Sequence, residues 1–304
     1  MINVTINGIA VEVEEGSTIL QAAEKAGVEI PTLCYIKDLM PEASCRMCMV
    51  EIEGMPKLVT ACSFPAANGN VIFTESERVI AARKGILELL LSNHKTNCFI
   101  CRSNGECKLQ DYCFKYGVKE SSFKGERIDK PIDNSSPYFT YDPNLCILCH
   151  RCVNTCHKIV GVGAIDTVKR GFKAQIGTPF GINWADSTCE YCGNCIQACP
   201  VGALTMKRHD EYRAWEIKDR QNIECPLCPK HCRLTLLIKK GKVVDVLDGG
   251  DICCVRGRNF KEAADLIISM MNAYQINNAD RRLSEDISVE QATEILNNYM
   301  NLKK

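Results

Sequence analysis

The sequence predicts an α+β chain assembled as a string of small, metal-stapled domains, and three observations carry that expectation. Of 304 residues, 21 are cysteine, and nearly all of these stand in tight groups along the chain. Only 7% of residues are aromatic, so cores held by something other than bulk apolar packing are expected. In the middle of the chain a run of four cysteines recurs forty-three residues later with the same internal spacing, the mark of a repeated structural unit.

Charge and compartment narrow the chemistry. The 37 basic side chains are balanced by 37 acidic ones, so no global surplus draws the chain to nucleic acid or to an anionic membrane. The opening MINVTINGIAVEVEEG lacks a basic stretch followed by an apolar run, and no segment approaches the roughly 18 apolar residues of a membrane span. A cytoplasmic protein with no membrane span and no nucleic-acid partner is expected. In a reducing compartment, dense cysteine reads as metal ligation more readily than as a disulfide framework. Disulfides and zinc are the competing readings, and the spacings decide against them for most groups.

Residues 2 to 13 alternate as two short strands about Asn7-Gly8, a strong hairpin dipeptide. Ser17 or Thr18 then caps a helix running through Ile19, Leu20, Ala23 and Ala26 to Gly27. Cys34, Cys45, Cys48 and Cys62 follow, with gaps of ten, two and thirteen residues. A loop can thereby wrap one side of a two-iron cluster while a later turn closes the other. This order and the CRMC segment resemble the plant-type ferredoxin fold as it occurs at the N-terminus of the large iron-sulfur subunit of respiratory complex I and of iron-only hydrogenases. The plant-type spacing is C-x4-C-x2-C, and the ten-residue gap departs from it in the direction of the complex I-like branch. The resemblance implies a β-grasp domain over residues 1–78 holding one [2Fe-2S] cluster on Cys34, Cys45, Cys48 and Cys62.

Ser76 precedes ERVIAARKGILELLLSNH, where Val79, Ile80, Ile86, Leu87, Leu90 and Leu91 recur at helical spacing. The helix delivers His94 to HKTNCFICRSNGEC, in which His94, Cys98, Cys101 and Cys107 are separated by three, two and five residues. A histidine at a helix end is ordinarily a solvated or capping residue, but three cysteines alone leave a cubane one ligand short. The string, with NGECKLQDY, resembles the [4Fe-4S] domain of one histidine and three cysteines that follows the two-iron domain in the same family. The resemblance implies a domain over residues 79–118 with His94, Cys98, Cys101 and Cys107 as ligands. By analogy with Rieske centres, where histidine raises the potential, this cluster stands apart in potential from its all-cysteine neighbours. Cys113 has no spacing partner and reads as a buried or spare thiol.

Residues 119–137 are polar, and with the stretch up to residue 140 they hold two prolines and no sustained period, so they read as a linker. Beyond them, LCILCHRCVNTCH and TCEYCGNCIQACP both follow C-x2-C-x2-C-x3-C, the pattern of bacterial two-cluster ferredoxins, in which the fourth cysteine of each run crosses to the other cluster. That pattern implies a two-cluster ferredoxin domain over residues 138–210. One [4Fe-4S] cluster would use Cys146, Cys149, Cys152 and Cys199, the other Cys189, Cys192, Cys195 and Cys156. Pro200 follows the second run as the pattern expects. His157 replaces the proline after the first run and reads as a surface or supporting residue, since all ligand positions are already filled.

From Ile223 the chain reads IECPLCPKHCRLTLLIKKGKVVDVLDGGDICCVRGRNF, with strands LTLLIKK and KVVDVLD about a Gly-containing turn. The segment resembles the small N-terminal [4Fe-4S] domain of molybdopterin oxidoreductases, notably formate dehydrogenases. The likeness implies a domain over residues 211–260 with Cys225, Cys228, Cys232 and Cys254 as ligands and Cys253 spare. A zinc ribbon is the alternative here. Arg256 holds the place of a family lysine between cluster and pterin, and reads equally as a surface cation. The tail, residues 261–304, contains two amphipathic stretches, EAADLIISMMNAY and SVEQATEILNNYM, whose Met and Leu positions read as packing faces. The second resembles the start of the segment leading into a pterin-binding body, and no such body is expected in this chain.

Five clusters need twenty protein ligands, and nineteen cysteines with His94 supply them, leaving Cys113 and Cys253. One [2Fe-2S] and four [4Fe-4S] clusters are therefore expected, with ligation carrying much of the folding free energy. No dinucleotide fingerprint, P-loop or Ser-His-Asp arrangement appears, and every cysteine group is saturated, so no catalytic site of its own is expected. The chain reads as an electron wire. The resemblance implies an FMN- and NAD(H)-binding complex I-like partner at one end. The other end suits an electron-bifurcating transhydrogenase coupling NAD(H), NADP(H) and ferredoxin through a second flavoprotein subunit. The alternatives are the iron-sulfur subunit of an NAD-dependent formate dehydrogenase with a separate molybdopterin subunit, and that of an electron-bifurcating hydrogenase. The hydrogenase reading is disfavoured because the expected motifs after residue 210 are replaced. A zinc or nucleic-acid module would leave the two interlocking cysteine runs unexplained.

Overall fold

Asn7 and Gly8 take φ of 49° and 84°, the left-handed pair a two-residue hairpin turn demands. Strand β1 (Ile2–Ile6) accordingly folds back on β2 (Ile9–Val13), with Ile6 opposite Ile9. The structure, a computed structural model, describes residues 1–207, 212–224, 233–248, 267–269 and 271–272. They fall into two units. The first comprises Met1–Cys98, Glu106–Lys130 and Asn144–Arg151; the second comprises Phe99–Gly105, Pro131–Pro143 and the chain from Cys152 on.

In the first unit Thr18, rather than Ser17, caps α1 (Ile19–Lys25). Its hydroxyl accepts from the Gln21 N–H at 3.3 Å while its own N–H donates to Gln21 Oε1 at 2.8 Å, a reciprocal capping box. Three further strands, β3 (Met49–Ile52), β4 (Val59–Thr60) and β5 (Val71–Phe73), complete a sheet of order β2-β1-β5-β3-β4. The β1–β5 pair is parallel, joining Thr5 to Val71, and the other pairs are antiparallel. The inward positions Val4, Ile6, Val50, Ile52 and Ile72 pack on Ile19 of α1, and Cys48 and Cys62 belong to the same cluster. The low aromatic content therefore does not signal a missing core here: aliphatic side chains fill it.

Ser76 starts α2 (Glu77–Ser92), accepting from the Val79 N–H at 3.3 Å and donating to Glu51 at 2.5 Å. The buried stripe of α2 is Val79, Arg83 and Leu87, one residue per turn. Helix α3 (Lys108–Tyr116) packs on α2. It begins at Cys107 and stops at Gly117, whose φ of 68° is the left-handed C-terminal cap that favours glycine. Asn144 closes the unit by a two-way bond to the Lys130 backbone, 2.8 Å in each direction.

In the second unit β6 (Phe139–Tyr141) pairs antiparallel with β9 (Leu204–Met206), bringing together the two ends of the repeat segment. Phe139–Tyr141 is thus a strand although the sequence shows no period there, because three buried residues are too few to carry one. Between them run α4 (Arg151–Asn154), which begins at the unit boundary, a π-helical turn (Thr155–Val160), a hairpin of β7 (Asp166–Val168) and β8 (Gln175–Gly177), and α5 (Asn194–Ala198). Trp184, 2% exposed, stands edge-on to Phe139 with centroids 5.0 Å apart. Strands β10 (Asp219–Glu224), β11 (Arg233–Lys239) and β12 (Lys242–Asp248) form an antiparallel sheet turned by Lys240 and Gly241. Ile267 and Met271, on the first predicted tail helix, pack into its core beside Leu236 and Val246. Apart from residues 267–269 and 271–272, the tail lies outside the described residues. Among the described residues no helix is long and apolar enough to cross a membrane.

Candidate iron-sulfur sites

The loop before β3 turns through left-handed φ at Ala43 (50°) and Arg46 (60°). Cys34, Cys45, Cys48 and Cys62 are 1–9% exposed, and their sulfurs associate two and two. Cys45 hydrogen-bonds Cys34 and lowers its thiol to about 5, and the same contact, with burial, pushes Cys45 up. Cys48 and Cys62 form a matching pair, Cys48 raised by its neighbour and by burial, Cys62 lowered by Cys48. Cys34 also acts electrostatically on Cys48 and Cys62, so both pairs share one pocket. Among the described residues no three metal-binding side chains stand as a mononuclear metal site needs. Two pairs of thiolates are what a two-iron group takes, one pair per iron, and this donor set fits it.

Sequence reasoning missed the side chain that braces this loop. Arg83, fully buried, donates from Nε to the Met47 carbonyl at 3.0 Å and from Nη2 to the Met49 carbonyl at 2.9 Å, on either side of Cys48. Its Nη1 donates to Glu75 at 2.9 Å and to the Tyr116 hydroxyl at 2.7 Å. The signal was present as a cation on the buried stripe between Val79 and Leu87. On the Cys34 side, Tyr112 of α3 accepts from the Thr32 N–H at 3.2 Å.

His94, just past α2, is 7% exposed, with Nδ1 closed off from solvent; its carbonyl accepts from Arg127 at 2.9 Å. In the same unit Cys98 is exposed and Cys107 is buried at the N-cap of α3. Cys113, on α3, is part-buried, and its thiol is pushed up to about 11 by burial and then by the charge of Cys98. Cys101 belongs to the second unit. There Arg102 donates to Thr140 at 3.0 Å and Thr205 at 3.4 Å, holding the 99–105 loop to β6 and β9. The Cys101 sulfur lies 2.7 Å from where a Cβ on Gly202 would stand.

The two ferredoxin-like runs repeat in backbone conformation as well as in spacing. Leu148 and Tyr191, equivalent in the runs, have φ of 52° and 54°; His150 and Gly193, also equivalent, have 60° and 77°. Cys146 and Cys149 fall in the first unit, where the Leu148 N–H donates to the Cys146 sulfur at 3.4 Å. The second unit brings Cys156 together with Cys189, Cys192 and Cys195. Cys195 is pushed well up by desolvation and then by Cys192, Cys189, Cys156 and Cys199, and Cys189 to about 11 by burial, with Cys192 and Cys156 adding to the rise. The Ala164 N–H donates to the Cys156 sulfur at 3.3 Å, the kind of bond that steadies a thiolate ligand. Tyr191 stands edge-on to Tyr138 at 5.2 Å and so holds the second run. Cys152 is 8% exposed, and Cys199 follows α5 with its thiol donating to the Val201 carbonyl at 3.1 Å. His157 is on the surface, its Nε2 2.8 Å from the Ile165 carbonyl. Cys225, Cys228, Cys232, Cys253, Cys254 and Arg256 lie outside the described residues.

Three segments of the chain match known protein families. Residues 1–77 match the model of a 2Fe-2S iron-sulfur cluster binding domain. Residues 83–122 match the NADH-ubiquinone oxidoreductase-G iron-sulfur binding region, and residues 136–205 the ferredoxin-like domain of NADH-quinone oxidoreductase subunit 3. The chain is thus a series of 2Fe-2S and 4Fe-4S binding domains of mixed helix and strand. It belongs to the complex I-like family of iron-sulfur electron-transfer subunits. The G 2 subunit of the NADH-quinone oxidoreductase of Rhizobium meliloti (strain 1021) is 41% identical over 279 residues, 88% of this chain and 32% of that protein. The NADPH-Fe(3+) oxidoreductase subunit alpha of Geobacter sulfurreducens is 37% identical over 265 residues, 85% of this chain and 31% of that one. The NADP-reducing hydrogenase subunit HndD of Solidesulfovibrio fructosivorans is 39% identical over 222 residues, covering 71% and 37%. The chain spans about a third of the length of these curated relatives. A chain in the crystal structure of an NAD+-reducing [NiFe]-hydrogenase in the H2-reduced state aligns with TM-score 0.63 and 31% identity, over 68% of this chain and 87% of that one.

Proposed function

We propose that this chain is the iron-sulfur electron-transfer subunit of an NAD(P)H-linked flavoprotein oxidoreductase complex. The observation that carries the reading is the gathering of Cys156 from the first run with Cys189, Cys192 and Cys195 from the second, the crossover by which two-cluster ferredoxins share ligands. Five sites follow. Cys34, Cys45, Cys48 and Cys62 hold a [2Fe-2S] cluster in a β-grasp domain. His94, Cys98, Cys101 and Cys107 hold a [4Fe-4S] cluster, and two more sit on Cys146, Cys149, Cys152 and Cys199, and on Cys189, Cys192, Cys195 and Cys156. Cys225, Cys228, Cys232 and Cys254 hold the fourth [4Fe-4S] cluster. For this last site the support is sequence: the spacing of its four cysteines, in a chain that the Rhizobium and Geobacter relatives match over 88% and 85% of its length. Such clusters take up and release single electrons. The protein supplies thiolate donors, N–H bonds to sulfur and a buried setting.

The partner at one end is an FMN- and NAD(H)-binding subunit. The finer assignment is an electron-bifurcating transhydrogenase in which a second flavoprotein and ferredoxin take the other end. Relatives named for NADH and for NADPH support a family able to serve either nucleotide. Anaerobic native purification with mass spectrometry of co-purifying subunits, flavin and metals tests it. A second nucleotide-binding flavoprotein without molybdenum or tungsten is expected; a molybdopterin subunit would make the complex a formate dehydrogenase. A colourless preparation with zinc in place of iron would overturn the electron-transfer reading itself.

A further inference from the structure

We propose that Arg83 is the positioning residue that sets the reduction potential of the two-iron site, with Glu75 as its counter-charge. The inference rests on the proposed [2Fe-2S] assignment and goes beyond it, since Arg83 is not a ligand.

The geometry is that of a clamp with a charge in it. One guanidinium grips the carbonyls of Met47 and Met49, the residues on either side of Cys48, at 3.0 and 2.9 Å. A peptide unit is planar and its C=O and N–H point in opposite directions. Turning the Met47 carbonyl to Arg83 therefore turns the Cys48 N–H away from it and fixes the backbone that carries the thiol. The planar fork makes clamp and charge separable: a lysine keeps the charge but cannot hold two carbonyls, a carboxylate and a hydroxyl in fixed directions.

Arg83 is fully buried, so its charge acts through protein rather than solvent and is weakly screened. Facing it are Glu75 at 2.9 Å and the Tyr116 hydroxyl at 2.7 Å, and Lys115 approaches the same Glu75 oxygen at 3.6 Å. The group therefore carries a net positive charge, two cations to one carboxylate. Reduction adds one negative charge to the two-iron site, and a fixed cation behind Cys48 favours that added electron. The bland alternative is that Arg83 only cements α2 and α3 to the sheet, in which case the potential would follow packing and not charge.

The test is an anaerobic dithionite titration of the full iron-loaded chain, one electron per two-iron site, followed by the low-temperature EPR signal of that site. Parent, Arg83→Gln, Arg83→Lys and Glu75→Gln are compared, with iron content measured for each. Charge control predicts a lower midpoint in Arg83→Gln, a higher one in Glu75→Gln, and a midpoint near the parent's in Arg83→Lys. Glu75 is 41% exposed and its Gln replacement keeps an oxygen that accepts from Arg83, so this variant removes the charge without emptying a buried position. If Arg83→Gln fails to load the site, the upward shift in Glu75→Gln and the retained value in Arg83→Lys decide. Equal shifts in the Gln and Lys variants, or no shift in Glu75→Gln, overturn the proposal. A parent without any two-iron signal overturns the cluster assignment instead.

Discussion

Gly202 presses its backbone against Cys101: a Cβ built on this glycine would lie 2.7 Å from the Cys101 sulfur and 3.3 Å from the Ser103 hydroxyl. The demand is for space, since Gly202 does not take a left-handed φ. Gly202→Ala should therefore displace the sulfur rather than strain the glycine's own backbone, at about 1–3 kcal/mol, the usual range for overpacking. Iron analysis should show a lowered content in Gly202→Ala, with the two-iron EPR signal intact. Full iron content with an unchanged four-iron spectrum would show that Cys101 is not a ligand.

His94 and Cys113 lie in the same unit and should behave oppositely on replacement. His94→Ala should perturb one four-iron EPR signal and spare the two-iron signal. Cys113→Ser should leave the iron content at the parent level, since Cys113 has no spacing partner and His94, Cys98, Cys101 and Cys107 already make up four ligands. A loss of about four irons in Cys113→Ser, one cubane's worth, would move the ligand from His94 to Cys113.

The repeated left-handed positions make an asymmetric prediction about stability. Gly193 has φ of 77° and its equivalent His150 has 60°. Gly193→Ala places a Cβ where the left-handed conformation costs about 1–2 kcal/mol. His150→Gly removes that same cost, and the 3.9 Å, partly exposed contact with Glu42 that it gives up is of a kind worth roughly 0–1 kcal/mol. Thermal bleaching of the visible absorbance should come earlier in Gly193→Ala and no earlier than the parent in His150→Gly. The reverse order would mean that the two runs do not share one loop geometry.

Iron removal should act unevenly. The sheet of the first unit has an aliphatic core around Ile6, Ile19 and Ile72, whereas residues 187–203 are held by short helices and cysteine loops. Chelation under reducing conditions, followed by hydrogen exchange, should leave β1 and β5 protected and expose α5. Uniform loss of protection would show that the sheet too depends on its cluster.

Legibility in the sequence followed the strength of local chemistry. Asn7-Gly8 and the caps at Thr18 and Ser76 were readable because each satisfies its own backbone groups within four residues. The repeat of the two cysteine runs was readable because equal spacing brings the same left-handed turns at Leu148 and Tyr191. Strands β3, β4 and β5 were not, since two to four residues cannot display a period and their pairing is decided by distant partners. The β7–β8 hairpin was hidden for the same reason. Arg83 was hidden behind its own polarity: a charge among Val79 and Leu87 looks like a break in the stripe, when it is the stripe's most connected member.

The parallel pairing of Thr5 with Val71 has a consequence in time. Strand β5 sits between β1 and β3, so the sheet stays open until nearly the whole first domain has left the ribosome, and its contacts are of high sequence separation. Cys34, Cys45 and Cys48 emerge well before the strand that completes their scaffold. During synthesis the nascent chain thus passes through an interval with exposed thiols and an unpaired β1 edge, and delivery of iron to this domain belongs after translation of residue 73.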